Sequence, residues 1–428
     1  MALRVSEPWG AGGLWRLIMH TTITRILVKI CRGANAARLL VALSCMAAPA
    51  SLHAQDPGIF AEFNTSMGSF TCRLEYALAP RAVANFIGLA TGQRAYLHIP
   101  TGRVRSGPYY TNLIFHRVVS GFVIQTGSLN GQGTDGPGYA FPDEFSPQIR
   151  HDGPGVLSMA NSGTNSNGAQ FFVTVAAAPW LDNLHTAFGR VVAGQEVVNA
   201  ISEVATDSNN KPLTNVWLYG IQIRRVGAEA EAFDIHAQSL PVVSTVPLSL
   251  AVTGAMATLS FSNSLYAQHY LAASSNLATW SGSNLGIETV LPLGNSVTQA
   301  LSAPYKFYTL SRVQYPGSTF SPRSLFQKRL TLEFLSDSLT ITIDFDNAGG
   351  GTYTFEDQSG SLNGTVDYYS WYQEPYRGAI WPIYYSGIIP MTLRLDFSDD
   401  TSGRFSGTAY PSQSSPFAIN GLFTLESR

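Results

Sequence analysis

Phe115-His116-Arg117-Val118-Val119-Ser120-Gly121-Phe122-Val123-Ile124-Gln125-Thr126-Gly127 is the stretch on which the reading of this chain turns. Two short β runs, Ile114 to Val119 and Val123 to Gln125, flank its Ser120-Gly121 break. Further short runs follow at Leu157 to Met159, Phe171 to Val175 and Ala187 to Val191. Upstream, Ile59 to Phe63 and Ser69 to Leu74 alternate with period two about Ser66-Met67-Gly68, which predicts a hairpin. Pro80 opens, and Gly92 closes, a helical segment with Val83, Phe86, Ile87 and Ala90 on one face. A second helix is expected over Gln195 to Val204, with Val197, Val198 and Ile201 inward.

Three further motifs follow the first in order: Gly155-Val156-Leu157-Ser158-Met159-Ala160-Asn161, Asn167-Gly168-Ala169-Gln170-Phe171-Phe172, and Trp180-Leu181-Asp182 running on to His185-Thr186-Ala187-Phe188-Gly189. Together the four closely resemble the cyclophilin family of peptidyl-prolyl cis/trans isomerases, over residues 58–227. The resemblance implies a mainly β fold: a closed antiparallel barrel of eight strands capped by two helices. It also implies catalysis of X-Pro isomerisation without a cofactor. The catalytic positions carry over onto Arg117 and Gln125. The proline pocket carries over onto Phe122, Val123, Phe172, Leu181 and His185, and the backbone grip onto Gln125, Ala160, Asn161 and Trp180.

The chemistry suits these residue types. The X-Pro C–N bond has partial double-bond character and a rotational barrier of about 18–20 kcal/mol. Lowering it requires no proton transfer, so His116 reads as structural and His185 as pocket lining. A guanidinium stays charged and can donate to the prolyl nitrogen once twisting localises its lone pair. Phe171 and Phe172 face opposite sides of one strand, which makes Phe171 a core residue. In the family, Trp180's position governs affinity for cyclosporin, so the resemblance implies binding of that ligand class. The chain departs from the family at Val123 (often Met), Thr126, Ser128, Ser162, Thr164 and Asn183-Leu184; none removes a pocket or hydrogen-bonding group.

With 428 residues, the chain exceeds one core, and two accessory β units are expected at 240–318 and 325–428. Gly227 to Ala232 reads as a linker, and 325–428 as an antiparallel barrel or sandwich. An aromatic loop there, with Tyr368, Tyr369, Trp371, Tyr372, Tyr376, Trp381, Tyr384 and Tyr385, packs a core or interface, or else stacks on carbohydrate of the cell envelope.

Hydrophobic residues make up 45% and charged residues 13%, with a net charge of −2, which gives no case for a nucleic-acid partner. Arg25, Lys29, Arg32 and Arg38 precede an apolar run from Leu39 and a cleavage site at Leu52-His53-Ala54. Residues 1–54 therefore read as a signal region, with Met19 an alternative start, and the mature chain as exported, periplasmic or extracellular. A lipoprotein reading through Cys45 has poorer register, since Ala42 stands three before it. Cleavage leaves Cys72 without an intramolecular partner, and no mature segment is apolar for long enough to span a bilayer. The scattered histidines lack metal-ligand spacing; Gly131 to Gly138 lacks the Lys-Ser/Thr of a phosphate loop; Asp344 to Asn347 lacks the closing Glu of a calcium loop. The reading from a different class is a non-catalytic module that docks proline-containing surfaces.

Overall fold

The computed structural model describes residues 56–262, 264, 267–288, 295–300, 306–316, 325–335, 338–346, 350–358, 360–374, 376–385, 388–398, 401–410 and 415–427. The predicted signal region, 1–54, lies outside the described residues.

The predicted hairpin is β1 (Gly58–Thr65) and β2 (Gly68–Leu74), in register from Ile59 opposite Leu74 to Thr65 opposite Gly68. The Thr65 hydroxyl holds the turn, donating to the Gly68 carbonyl at 2.6 Å and accepting from the Met67 N–H at 3.1 Å. Helix α1 (Pro80–Thr91) ends at Gly92 with φ +74°, where an added Cβ would lie 2.6 Å from the backbone of Gly107. Its first turn is satisfied from a distance: both Glu144 carboxylate oxygens accept, from the N–H groups of Arg81 and Ala82, at 3.1 and 2.9 Å. The helix departs from the single inward face expected. Every residue from Ala82 to Ala90 is buried, and Asn85 on the second face donates to the Gly168 carbonyl at 2.8 Å.

Beyond α1 come β3 (Tyr96–His98), β4 (Arg103–Arg105), β5 (Leu113–Ile114), β6 (Arg117–Val119), β7 (Val123–Thr126), β8 (Val156–Met159), β9 (Phe171–Thr174) and β10 (Ala187–Ala193). Helix α2 (Gln195–Ser202) and β11 (Trp217–Val226) complete the domain. β3 and β4 pair with each other, and the remaining strands form one sheet in the order β5-β11-β1-β2-β10-β8-β9-β7-β6. Its first and last strands are separated in the chain only by Phe115-His116, so the sheet curls until its edges meet. Across that seam the Thr126 hydroxyl donates to the Ile114 carbonyl at 2.9 Å. The sheet has nine strands where the resemblance implied eight: β11, paired with β1, matches no run read from the sequence, and the single run expected from Ile114 to Val119 is split in two. The adjacent residues Phe115 and His116 are both buried there, which a continuous period-two strand with one wet face does not allow. Phe63 and Phe70 stack at 4.5 Å inside the barrel, with Phe86, Phe171 and Phe188 around them. Cys72 is buried there, and desolvation pushes its thiol far above the ordinary value, leaving it inert.

The segment expected as a linker is instead helix α3 (Ala228–Ala232), with Ala230 buried. The Arg225 guanidinium explains why it folds: it donates to the Phe233 carbonyl at 2.6 Å, as well as to those of Ala230 and Glu231, at the helix's C-terminal end. Residues 242–314 form a four-stranded and a three-stranded sheet. They share a core with the first domain: Val243, Tyr270 and Val313, with Tyr315 just past the last strand, pack into the same buried cluster as Phe86 and Phe171.

Residues 328–427 close an eight-stranded antiparallel barrel. The aromatic-rich stretch expected as a loop is a strand pair of this barrel, Gly360–Glu374 with Arg377–Tyr385. Aromatic residues suit a pleated, half-buried surface, and Tyr369 and Tyr376 are buried. The side chains of Tyr368, Trp371, Tyr372, Trp381, Tyr384 and Tyr385 lie outside the described residues. Asp344 is engaged in a bidentate ion pair with Arg329, at 2.8 and 2.9 Å.

Candidate functional site

Cross-strand register assembles the centre of the site. Arg117 on β6 stands opposite Gln125 on β7, which stands opposite Phe172 on β9, which stands opposite Ser158 on β8. Residues directly opposite one another share a face of the sheet, so three of the predicted site residues lie in one row. Val123 is two residues from Gln125 and opposite Thr174, which puts it on that same face. The Arg117 guanidinium donates to Gln125 Oε1 at 3.4 Å, Gln125 Nε2 donates to Gln170 Oε1 at 3.2 Å, and Gln170 Nε2 donates to the carbonyls of Gly133 and Asp135 at 2.9 and 2.8 Å. A flexible cation on an edge strand is thus aimed by a relay that ends on fixed backbone.

Phe172 is 5% exposed and forms the floor. His185 meets it edge-on at 5.5 Å, and His151 lies against it at 6.0 Å. The Met159 carbonyl accepts from His185 Nδ1 at 3.0 Å; a carbonyl can only accept, so Nδ1 carries a proton. The chain from Pro179 to Leu181 is a 3₁₀ turn, and the Leu181 carbonyl accepts from the His185 N–H at 3.0 Å. This turn presents Leu181 half-buried and Trp180 outward, 62% exposed, its indole 5.8 Å from the Phe122 ring. Beside this turn Asn161 Nδ2 donates to the Leu184 carbonyl at 2.8 Å, and the adjacent Ala160 N–H donates to the Gln170 carbonyl at 2.9 Å. Every residue predicted for the site therefore falls in one connected constellation. From Gln125, Ala160 and Asn161 a cleft of about 670 Å³ extends past Gly133 to Tyr139.

Residues not singled out from the sequence hold this arrangement in place. Gln170 is the middle of the relay, and its position inside the Asn167 to Phe172 motif was the available signal. Asp182 accepts from the His151 N–H and ring Nδ1, each at 2.9 Å, and from Arg150 Nε at 2.8 Å, while His151 Nε2 meets the Ser158 hydroxyl at 2.9 Å. Burial raises the Asp182 carboxyl, but these hydrogen bonds and the Arg150 charge outweigh it and hold the group below the usual range. Desolvation lowers the His151 imidazole in spite of Asp182, which keeps the ring neutral. Nothing in the sequence around His151 marks it, because Asp182 is 31 residues away and Ser158 is seven residues on, in β8.

His116, beside Arg117, is 7% exposed. Desolvation lowers its imidazole to about 4; Asp135 and Gln170 oppose that shift, and Arg117 and Lys211 reinforce it. The ring, buried and neutral, packs against the Gly133 backbone. What the constellation offers is an apolar floor, amides at its rim and one oriented cation; the Ser158–His151 pair beneath the floor is fully buried and closed to a substrate.

Comparison with known proteins agrees with this geometry. Residues 60–223 match the family model described as cyclophilin type peptidyl-prolyl cis-trans isomerase/CLD. Peptidyl-prolyl cis-trans isomerase A of Mycobacterium tuberculosis is 45% identical over 165 residues, covering 38% of this chain and 91% of that protein. Peptidyl-prolyl cis-trans isomerase-like 1 of Aspergillus niger is 46% identical over 164 residues, or 38% of this chain and 92% of the relative. A solved cyclophilin type peptidyl-prolyl cis-trans isomerase of Cryptosporidium parvum is 31% identical, with a TM-score of 0.34, over 39% of this chain and 96% of its own. The four motifs, the row of facing residues on the curled sheet and relatives matched over nearly their whole length lead to one assignment: this chain belongs to the cyclophilin-type peptidyl-prolyl cis-trans isomerase family.

Proposed function

We propose that the isomerase domain acts on X-Pro bonds of exported polypeptides during their folding, with Arg117 as the catalytic group. Uncatalysed exchange takes about 10–100 s, so turnover of about 10–1000 per second requires a barrier lower by roughly 4–7 kcal/mol. Phe172, Val123, Phe122, Leu181 and His185 take the proline ring. Gln125, Ala160, Asn161 and Trp180 hold the flanking backbone. Arg117 then donates to the prolyl nitrogen. In the planar amide that nitrogen is a poor acceptor, so the contact strengthens only as the bond twists and is spent on the transition state.

The observation that carries this reading is the Arg117–Gln125–Gln170 relay, which fixes a permanently charged donor beside the apolar floor. A docking module that only held proline surfaces would have no use for a donor oriented in this way. Export is supported by the basic-then-apolar order of residues 25–54.

Two measurements test the proposal. Residues 55–428 should accelerate cis/trans exchange of a short X-Pro peptide, followed by NMR exchange spectroscopy; a folded chain without any acceleration would refute catalysis. A fusion of residues 1–60 to a reporter that is active only outside the cytoplasm should give signal, and a silent fusion would refute export.

A further inference from the structure

The cleft that leads away from Gln125 is not made by the isomerase domain alone. Its lining includes Gln268 and Tyr315, which come from the sheets that follow that domain. Both loops that shape the cleft are also tied to the C-terminal units. On one side the backbone N–H of Ala140 faces the Tyr315 hydroxyl, and Tyr315 is buried. On the other, Asn165 Nδ2 donates to the Phe397 carbonyl of the closed barrel at 2.7 Å, while its Oδ1 accepts from the Asp143 N–H at 2.9 Å. Docking of the first domain onto the second is close elsewhere too. The Ser311 hydroxyl donates to the Gly102 carbonyl at 2.7 Å, and an added Cβ on Gly102 would lie 2.8 Å from Gly282. The Arg103 guanidinium covers the Trp280 ring at 4.7 Å, and Arg94 donates to the Pro241 carbonyl. With this much of the surface joined, the far wall of the cleft keeps a fixed place relative to Arg117.

We propose that the C-terminal units complete the substrate site, with Gln268 as a specificity-determining residue that reads the client chain beyond the residues next to the proline. The occupant is an extended polypeptide segment continuous with the X-Pro bond at Arg117. The two regions are continuous: Gln125, Ala160 and Asn161 belong both to the constellation around the proline and to the cleft that ends at Gln268 and Tyr315. A volume of about 670 Å³ falls within the range of pockets that enclose a ligand. Its lining mixes apolar surface with the amides of Asn161 and Gln268, which suits the side chains and main-chain groups of a peptide. Gln268 is half-buried, positioned by a hydrogen bond with Tyr270 two residues further on the same strand face. This inference rests on the isomerase reading above.

The test compares a short X-Pro peptide with a longer one carrying at least four more residues on each side, both on residues 55–428. Gln268→Trp should block the far end of the cleft. It is expected to lower kcat/KM on the longer peptide by about tenfold or more, through KM, and to leave the short peptide within twofold. Gln268→Ala, which adds no bulk, should lower kcat/KM on the longer peptide about threefold to fivefold and also spare the short one. Equal values for wild type and both variants on the longer peptide would overturn the proposal, as would equal losses on both peptides in a folded variant. Failure of the wild type to turn over the short peptide is a different result: it refutes the isomerase reading itself and removes the ground of this one.

Discussion

Lowering the pH from 7 to 4.5 brings His116 and His269 into a range where the unfolded chain takes up protons that the folded chain refuses. His269 is the cleaner case. It is 1% exposed, lies 5.2 Å from the Phe261 ring, and neither ring nitrogen has a hydrogen-bond partner among the described residues. Desolvation, with a contribution from Arg312, lowers its imidazole from 6.5 to about 4. The folded-state value is depressed, so the stability it contributes is complete above 6.5 and is lost as pH falls towards 4. Linkage between those two values gives a loss of about 2.5 kcal/mol at pH 4.5. His269→Leu removes the titration and also the orphaned polar atoms, whose burial costs about 1–3 kcal/mol. Urea unfolding of wild type and variant at pH 7 and 4.5 is the assay. The variant should match or exceed the wild type at pH 7, and its advantage should grow by about 2–3 kcal/mol at pH 4.5. An advantage that does not change between the two pH values would refute the assignment of a buried neutral imidazole.

Other substitutions probe the site and its frame. Gln125→Ala frees Arg117 from its guide and removes one grip on the substrate backbone; one charge-assisted hydrogen bond of about 1.4 kcal/mol corresponds to a tenfold fall in kcat, with KM raised as well, and Gln170→Ala should reproduce much of the fall in kcat with KM little changed. An unchanged kcat in both would mean the relay does not position the arginine. Trp180→Ala removes the exposed indole beside Phe122 and should weaken binding of a proline-containing peptide by about tenfold or more, read by calorimetry. Equal affinity would remove Trp180 from the binding surface. Glu144→Ala leaves two N–H groups at the start of the helix Pro80–Thr91 without acceptors and should cost about 1–2 kcal/mol in thermal or urea unfolding. A variant as stable as wild type would show that solvent replaces the carboxylate without loss.

Local signals carried most of the isomerase domain. Alternation at Ile59 to Leu74, Pro80 and Gly92 around a helix, and four ordered motifs each describe a few adjacent residues, and each has its counterpart in the fold. What escaped the sequence depends on partners far along the chain. Glu144 reaches the helix that starts at Pro80 from more than 60 residues away, and Asp182 orders His151 across 31 residues. The segment after Gly227 has the composition of a linker, yet Arg225 and the floor beneath Ala230 turn it into a helix. Aromatic density suggested a loop at Tyr368 to Tyr385, whereas a closed barrel needs strands there, and pairing across the Arg377 turn supplies them. Contacts such as Asn165 with Phe397 join residues 232 positions apart, and no periodicity encodes them.

Arg117→Ala is the substitution that tests the central claim most directly, measured on a short X-Pro peptide beside Arg117→Lys. Loss of a preorganised donor to charge or lone pair developing in the transition state costs about 2.7–4 kcal/mol, or roughly 10²–10³-fold in kcat. The account predicts a fall of that size in Arg117→Ala, KM within a few-fold, an unaltered fold by circular dichroism, and only partial recovery in Arg117→Lys, whose ammonium cannot keep the forked geometry held by Gln125. Turnover in Arg117→Ala equal to the wild type would contradict it, and would assign the acceleration to the apolar floor and backbone grip alone.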